Sequence, residues 1–387
     1  MKNSKLLPSA LALALMSSFA SHAGIAIVDN EQGRFAIGGD VEFDFDYRDK
    51  KGNPNQTPEA GPNDNSYGQG GRVLIDFDGL RTLDNGNYLR VNVELLAETT
   101  GNAGIDNAFF AFGGQDSWMV KAGRYEAFDM FPKGMDVFLE TTGNTSDEQY
   151  NDGEGYFYQM KEGRGRGDAA GQIMYGHQLN NFYIEVSTLI GDRASFFGTE
   201  STHGTPTATA SQRYYHGQEI SADKDSFIVR PVISYKVGDF TLSAAMEANL
   251  VSDALVTVAG DVSNRTGYGL TANYDANGVN ANLSYAYLDA LNEKDQSIGA
   301  TVTWNNIGLG YFWTENKIEA SSSTTLNAGT AAGQTLNAAY EFADVMTVED
   351  FSVFLGAYHS NWDDKDKVLN NTFEKDSGAR VRLKYFF

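Results

Sequence analysis

Residues 126–168 gather seven aromatic rings: Phe128, Phe131, Phe138, Tyr150, Tyr156, Phe157 and Tyr158. Ten carboxylates stand among them: Glu126, Asp129, Asp136, Glu140, Asp147, Glu148, Asp152, Glu154, Glu162 and Asp168. Only Lys133, Lys161, Arg164 and Arg166 oppose these acids. Aromatic rings offer flat apolar faces, and carboxylates accept hydrogen bonds and attract cations. Rings are also an awkward choice for a loop exposed to water, which predicts that some of them pack against protein.

Signatures of catalysis are weak elsewhere. No Gly-x-Ser-x-Gly elbow occurs. Beyond residue 23 the histidines are His177, His203, His216 and His359, with no metal-type spacing among them. His177 or His359 beside a Ser or Asp would serve a hydrolase, and that alternative is carried forward. Gly165-Arg166-Gly167 followed by Ala170 mimics part of a dinucleotide loop, but the pattern after it is that of a strand. The run Asp363-Asp364-Lys365-Asp366 offers carboxylates to a divalent ion, although a solvated loop accounts for it as well. No cofactor is implied.

The elements that must carry this segment are strands. In 377–387, Ala379, Val381, Leu383, Tyr385 and Phe387 fall on one face, with Arg380, Arg382 and Lys384 on the other. In 34–47, Val41, Phe43, Phe45 and Tyr47 alternate with Asp40, Glu42, Asp44 and Asp46. The same alternation predicts strands at 71–83, 87–99, 105–113, 117–125, 169–179, 182–192, 226–237 and 240–251. It continues at 265–274, 279–290, 296–304, 307–316, 333–343, 351–360 and 378–387. That makes sixteen, or eighteen if 154–162 adds a strand. Short turns such as Asp84-Asn85-Gly86 and Asn305-Asn306 alternate with longer loops, among them 48–70, 126–168 and 193–225.

Sorting of loops by parity, an even strand count and one apolar face per strand predict a transmembrane antiparallel up-and-down β-barrel, apolar toward lipid and polar toward the lumen. Closure would bring the first strand against the last. Asp40, Glu42, Asp44 and Asp46 would then oppose Arg380, Arg382 and Lys384 across the seam, an arrangement that favours pairing.

Composition agrees. Lys2 and Lys5 precede the apolar stretch Leu6 to Ala20, and Ser21-His22-Ala23 offers a cleavage site, so 1–23 is expected to be a Sec-type signal peptide. Its removal takes the net charge from −22 to −24 and leaves 24–387 as the barrel. No later run reaches ~18 apolar residues. There are no cysteines, and the mean hydropathy of −0.37 is too polar for a bundle of membrane helices. The acidic balance argues against nucleic acid.

Sixteen strands, a terminal Phe in Lys384-Tyr385-Phe386-Phe387 and a long third loop at 126–168 together resemble the outer-membrane porins of Gram-negative bacteria. The stretch Ala122-Gly123-Arg124-Tyr125-Glu126-Ala127-Phe128-Asp129-Met130-Phe131-Pro132 looks like the start of the third loop in raffinose-porin-like glycoporins. The Pro-Glu-Phe-Gly-Gly run of enterobacterial general porins is missing from it. The resemblance implies passive diffusion of small hydrophilic solutes, above all sugars, with the third loop folded inward as a constriction. A general cation-preferring porin and an outer-membrane hydrolase are the alternatives. It implies as partners the solutes and ions themselves, outer-membrane lipid and lipopolysaccharide, the barrel-assembly machinery and two further copies in a trimer.

Solute contacts would then fall to Glu126, Phe128, Asp129, Phe131, Asp136 and Glu140 on the loop. Arg72, Arg90, Arg380, Arg382 and Lys384 would face them from the wall. For each Phe, packing on the wall competes with sugar contact. Trp118 is expected in an interfacial aromatic belt.

Overall fold

The computed structural model describes residues 24–52, 64–115, 117–132, 135, 137, 172–191, 213–222, 224–323, 327–365, 368 and 373–387. Sixteen antiparallel strands close into one barrel. They are β1 (Gly33–Gly52), β2 (Asp64–Thr82), β3 (Asn87–Glu98), β4 (Ala103–Gly114), β5 (Trp118–Arg124) and β6 (Gln172–Leu179). Next come β7 (Phe182–Gly191), β8 (Ser226–Val237), β9 (Phe240–Asn249), β10 (Thr266–Ala276) and β11 (Val279–Ala290). The set ends with β12 (Glu293–Trp304), β13 (Ile307–Ile318), β14 (Gly329–Phe342), β15 (Phe351–Asp363) and β16 (Phe373–Phe386). Each pairs with its neighbour in sequence, and β16 returns to β1. No described helix is long and apolar enough to cross a membrane.

Alternation decides which face of each strand meets lipid. Val41, Phe45, Val91, Phe110, Ile233 and Leu283 are exposed on the outside, while Asp40, Asp44, Arg90, Asn92 and Ser234 are buried inside. A hydrogen-bonded cylinder with no free edge satisfies every backbone group in hydrocarbon, which an open sheet cannot do.

All sixteen predicted strands are present. The expectation that 48–70 is a loop is corrected at both of its ends. β1 extends to Gly52 and β2 starts at Asp64, and their ladder runs from Gly33↔Arg81 to Lys50↔Asp64. Apolar alternation fades there because the pair has left the lipid, yet backbone pairing needs no apolar face. A short strand at Ile25–Asn30 also went unread. It pairs with Gly33 to Ile37, where β1 continues past the end of β16 and would otherwise present an open edge. The expected signal peptide at 1–23 and the optional strand at 154–162 lie outside the described residues.

The first and last strands meet in the register expected from their charges: Glu42↔Lys384, Asp44↔Arg382 and Asp46↔Arg380. Arg382 lies 2.7 Å from Asp44 and 3.1 Å from Glu42, and Lys384 lies 3.1 Å from Glu42. Arg380 pairs with Asp46.

Candidate functional site

The inner wall is not uniformly polar. Leu189, Ile228, Val232, Leu288 and Phe312 point inward and are nearly fully buried, along one stretch from β7 to β13. Met130 and Phe131, just beyond the end of β5, join that cluster. Glycines on the wall make room for the segment. A Cβ on Gly299 would stand 2.6 Å from the Phe131 ring, and one on Gly308 would stand 2.5 Å from Met135.

Polar side chains of the wall fix the same backbone. The Phe128 N–H donates to Glu185 Oε1 at 3.0 Å, and Arg230 Nη2 donates to the Phe128 carbonyl at 2.6 Å. Thr271 Oγ1 donates to the Met130 carbonyl, and Arg380 Nη1 donates to the Val137 carbonyl at 2.6 Å. Glu185 also accepts from Tyr183 Oη at 2.6 Å, and Tyr183 stacks on Phe128 with centroids 5.8 Å apart. Every one of these wall residues lies on an inward position of its strand.

Beside this segment is a cavity of about 470 Å³. One side is formed by Arg90, Asn92 and Glu94 of β3 with Phe109 of β4 and Lys121 of β5. Glu126, Phe128, Asp129 and Pro132 form its edge. The far side carries Ser243, Thr271, Asn273, Asn280 and Asn282 of β9–β11. Six carboxylates line it (Glu94, Glu126, Asp129, Glu185, Asp239 and Asp275) against three cations, Arg90, Lys121 and Lys236. Such a lining favours cations.

The amides form a ladder. Asn273 Nδ2 donates to Asn282 Oδ1 at 2.6 Å, and Asn282 Nδ2 donates to Asn280 Oδ1 at 2.9 Å. An amide both donates and accepts, as a sugar hydroxyl does, so a ladder of them can exchange bonds with a polyol at little cost. The half-buried Phe128 ring borders the same space, while Phe109 and Tyr125 are buried beneath the Lys121 ammonium.

The sequence candidates divide between two places. Glu126, Phe128, Asp129 and Arg90 line the cavity together. Arg90 donates to Asp78 Oδ2 through Nε at 2.9 Å. Phe131 is 1% exposed, so its ring faces protein, which is the wall-packing alternative. Arg72, Arg380, Arg382 and Lys384 belong to the seam around β1, where Asp40, Asp46, Asp44 and Glu42 hold them. Asp136 and Glu140 lie outside the described residues.

The two histidines kept as hydrolase candidates do not line this cavity, and His177 borders a smaller one near the short turns at Gly86 and Gln115. His177 Nδ1 is 2.8 Å from Tyr175 Oη, and His359 Nδ1 is 2.6 Å from Ser377 Oγ. Trp118 lies edge-on to Phe112, 5.3 Å away.

Lys121, Phe109, Tyr125, Glu185 and the asparagines escaped the sequence reading. Alternation assigns a face to each residue, but the height along the strand that brings inward residues level with the segment comes only from register.

The sequence profile of the family described as Porin-like glycoporin RafY matches residues 37–387. The chain belongs to this family. OmpF of Salmonella typhi, solved in complex with daunomycin, shares 12% identity at a TM-score of 0.61, over 94% of this chain and 100% of that one. The outer-membrane channel DcaP of Acinetobacter baumannii shares 12% identity at a TM-score of 0.59, over 94% and 100%. A loop-deletion mutant of Vibrio cholerae OmpT, an outer membrane protein, shares 12% identity at 0.56, over 92% and 100%. No curated protein matches the chain in sequence. The chain is an outer-membrane porin of a Gram-negative bacterium.

Proposed function

We propose that this porin passes sugars and small oligosaccharides by diffusion, and that 126–168 folds into the lumen to form the constriction where they are selected. One observation carries the reading: the 470 Å³ cavity brings the half-buried ring of Phe128 together with a hydrogen-bonding ladder (Asn273, Asn280, Asn282). A pyranose has apolar faces and a polar rim, and the lining offers a partner to each. The family's description as a glycoporin supports the same solute class.

The inward course of the loop is supported by its first residues. Phe128 is held by β7 and β8, Met130 by β10, and Val137 by β16. Nine Cα–Cα steps separate Phe128 from Val137, a reach of at most ~32 Å. A chain that short joins those walls most directly across the interior. The remaining residues of the loop would then narrow the same passage. Trimer assembly is proposed from the family and from the trimer form described for Vibrio cholerae OmpT.

The test is block of single-channel current by a panel of neutral oligosaccharides that includes raffinose. Saturable block in the millimolar range is expected. A current that falls only as the viscosity of the solution rises would favour a general cation-preferring porin instead.

A further inference from the structure

Cations on the described inner wall mostly have carboxylate partners. Arg72 pairs with Asp40, Arg90 with Asp78, Arg380 with Asp46, Arg382 with Asp44 and Lys384 with Glu42. Lys121 differs. Among the described residues no carboxylate lies within ion-pair distance of it. Its ammonium is held over two rings, 4.7 Å from the Phe109 centroid and 5.1 Å from the Tyr125 centroid. A ring face replaces only part of the water that an ammonium loses, so the site retains capacity for an anion.

Its position gives that capacity a use. In register, Arg90 of β3, Ala111 of β4 and Lys121 of β5 stand in one inward row. The small Ala111 between them leaves a notch flanked by two positive charges. Arg90, Phe109 and Lys121 also line a second cavity, of about 190 Å³, which continues toward the short turns at Gly86 and Gln115. Tyr88, Trp118, Met119 and Tyr183 contribute to its lining, which is mostly apolar. Lys121 thus stands on the sill between an amide-rich cavity and an aromatic one.

We propose that Lys121 is a carboxylate subsite, and that the channel binds sugar acids (hexuronates and oligosaccharides that contain them) with the carboxylate on Lys121 Nζ and the sugar ring in the amide-lined cavity beside it. The inference rests on the sugar reading above and narrows it. The surrounding field is acidic, so it does not attract anions in bulk, and any preference for a sugar acid must come from this local contact. A channel that favours small cations yet binds a sugar acid more tightly than its neutral analogue is the signature.

The experiment measures current block of the full-length porin in planar bilayers. Glucuronate, its uncharged amide glucuronamide, and raffinose are titrated against wild type and Lys121→Gln. In wild type, glucuronate should block at a concentration at least tenfold below glucuronamide. Lys121→Gln should erase that gap, bringing glucuronate to the level of glucuronamide, while Lys121→Arg should restore it. Equal block by the acid and the amide in wild type overturns the proposal with no variant needed, while block by raffinose keeps the sugar reading standing. A parallel loss for all three solutes in Lys121→Gln also overturns it, because Lys121 would then only hold the wall in shape. Absence of block by any sugar removes the sugar reading and the subsite with it.

Discussion

Phe128 and Phe131 sit three residues apart and meet different surroundings. Phe128 lies against Tyr183 and borders the cavity, whereas Phe131 is sunk between Gly299 and Phe312. Their substitutions should therefore separate. Phe128→Ala should raise the half-blocking concentration of a neutral trisaccharide about fivefold, the equivalent of about 1 kcal/mol of ring contact. Its ion conductance should change little. Phe131→Ala removes a buried anchor, a change that costs about 3–5 kcal/mol in a packed core. It should give a noisy open current and lose sugar discrimination without regard to solute. Bilayer recordings of the two variants compare these outcomes directly, and the same pattern from both would contradict the division. The sequence shows two rings in an acidic segment. It does not show which one meets a glycine on the wall, because Gly299 is 168 positions further along.

At the scale of elements, the strands were legible and the segment between β5 and β6 was not. Period-two alternation is imposed by lipid on one side and water on the other, so every span carries it in its own residues. The described start of the long loop, at Phe128, Met130 and Val137, is held by partners scattered over β7 to β16, and no local period records them. A trace existed all the same. Ile228, Val232 and Phe312 are apolar at positions where alternation calls for polar side chains, and each is covered from inside. Such reversals on an inner face mark where something docks. Gly299→Val tests the docking, since its side chain would have to displace the Phe131 ring, at a cost of about 1–3 kcal/mol for overpacking. Larger, noisier single-channel conductance is expected, with the barrel still heat-modifiable on gels. Deletion of 134–153 should raise conductance further and weaken sugar block. Unchanged conductance after the deletion would place the loop outside the passage.

For the whole molecule, charge sets what crosses most readily. The described cavity carries twice as many carboxylates as cations, and the full sequence has a net charge of −22. Reversal potentials in a salt gradient should show preference for cations, weakening as ionic strength rises and screening shortens. Clear preference for anions would mean that the basic wall, and not the acids, governs the pore. Anchoring is the other global property. Phe387 exchanges two backbone hydrogen bonds with Gly39, at 3.0 and 3.1 Å, and its ring stacks on Tyr385. Removal of Phe386 and Phe387 should sharply reduce the heat-modifiable barrel in outer-membrane fractions. Normal levels would detach the end of β16 from assembly.

The seam between β1 and β16 has a kinetic consequence. Its ion pairs join residues 328 to 344 positions apart, whereas each of the other barrel pairings joins consecutive strands. Contacts that distant form only after the loop-closure entropy of almost the whole chain has been met, so closure is the natural slow step of folding. Before it, both outer edges of the sheet are open to other chains. A slip of one residue at that moment would turn Arg380, Arg382 and Lys384 toward lipid and strip Glu42, Asp44 and Asp46 of their partners on β16. The paired charges therefore act as a register check at the last event of assembly, when an error would otherwise be sealed into the cylinder.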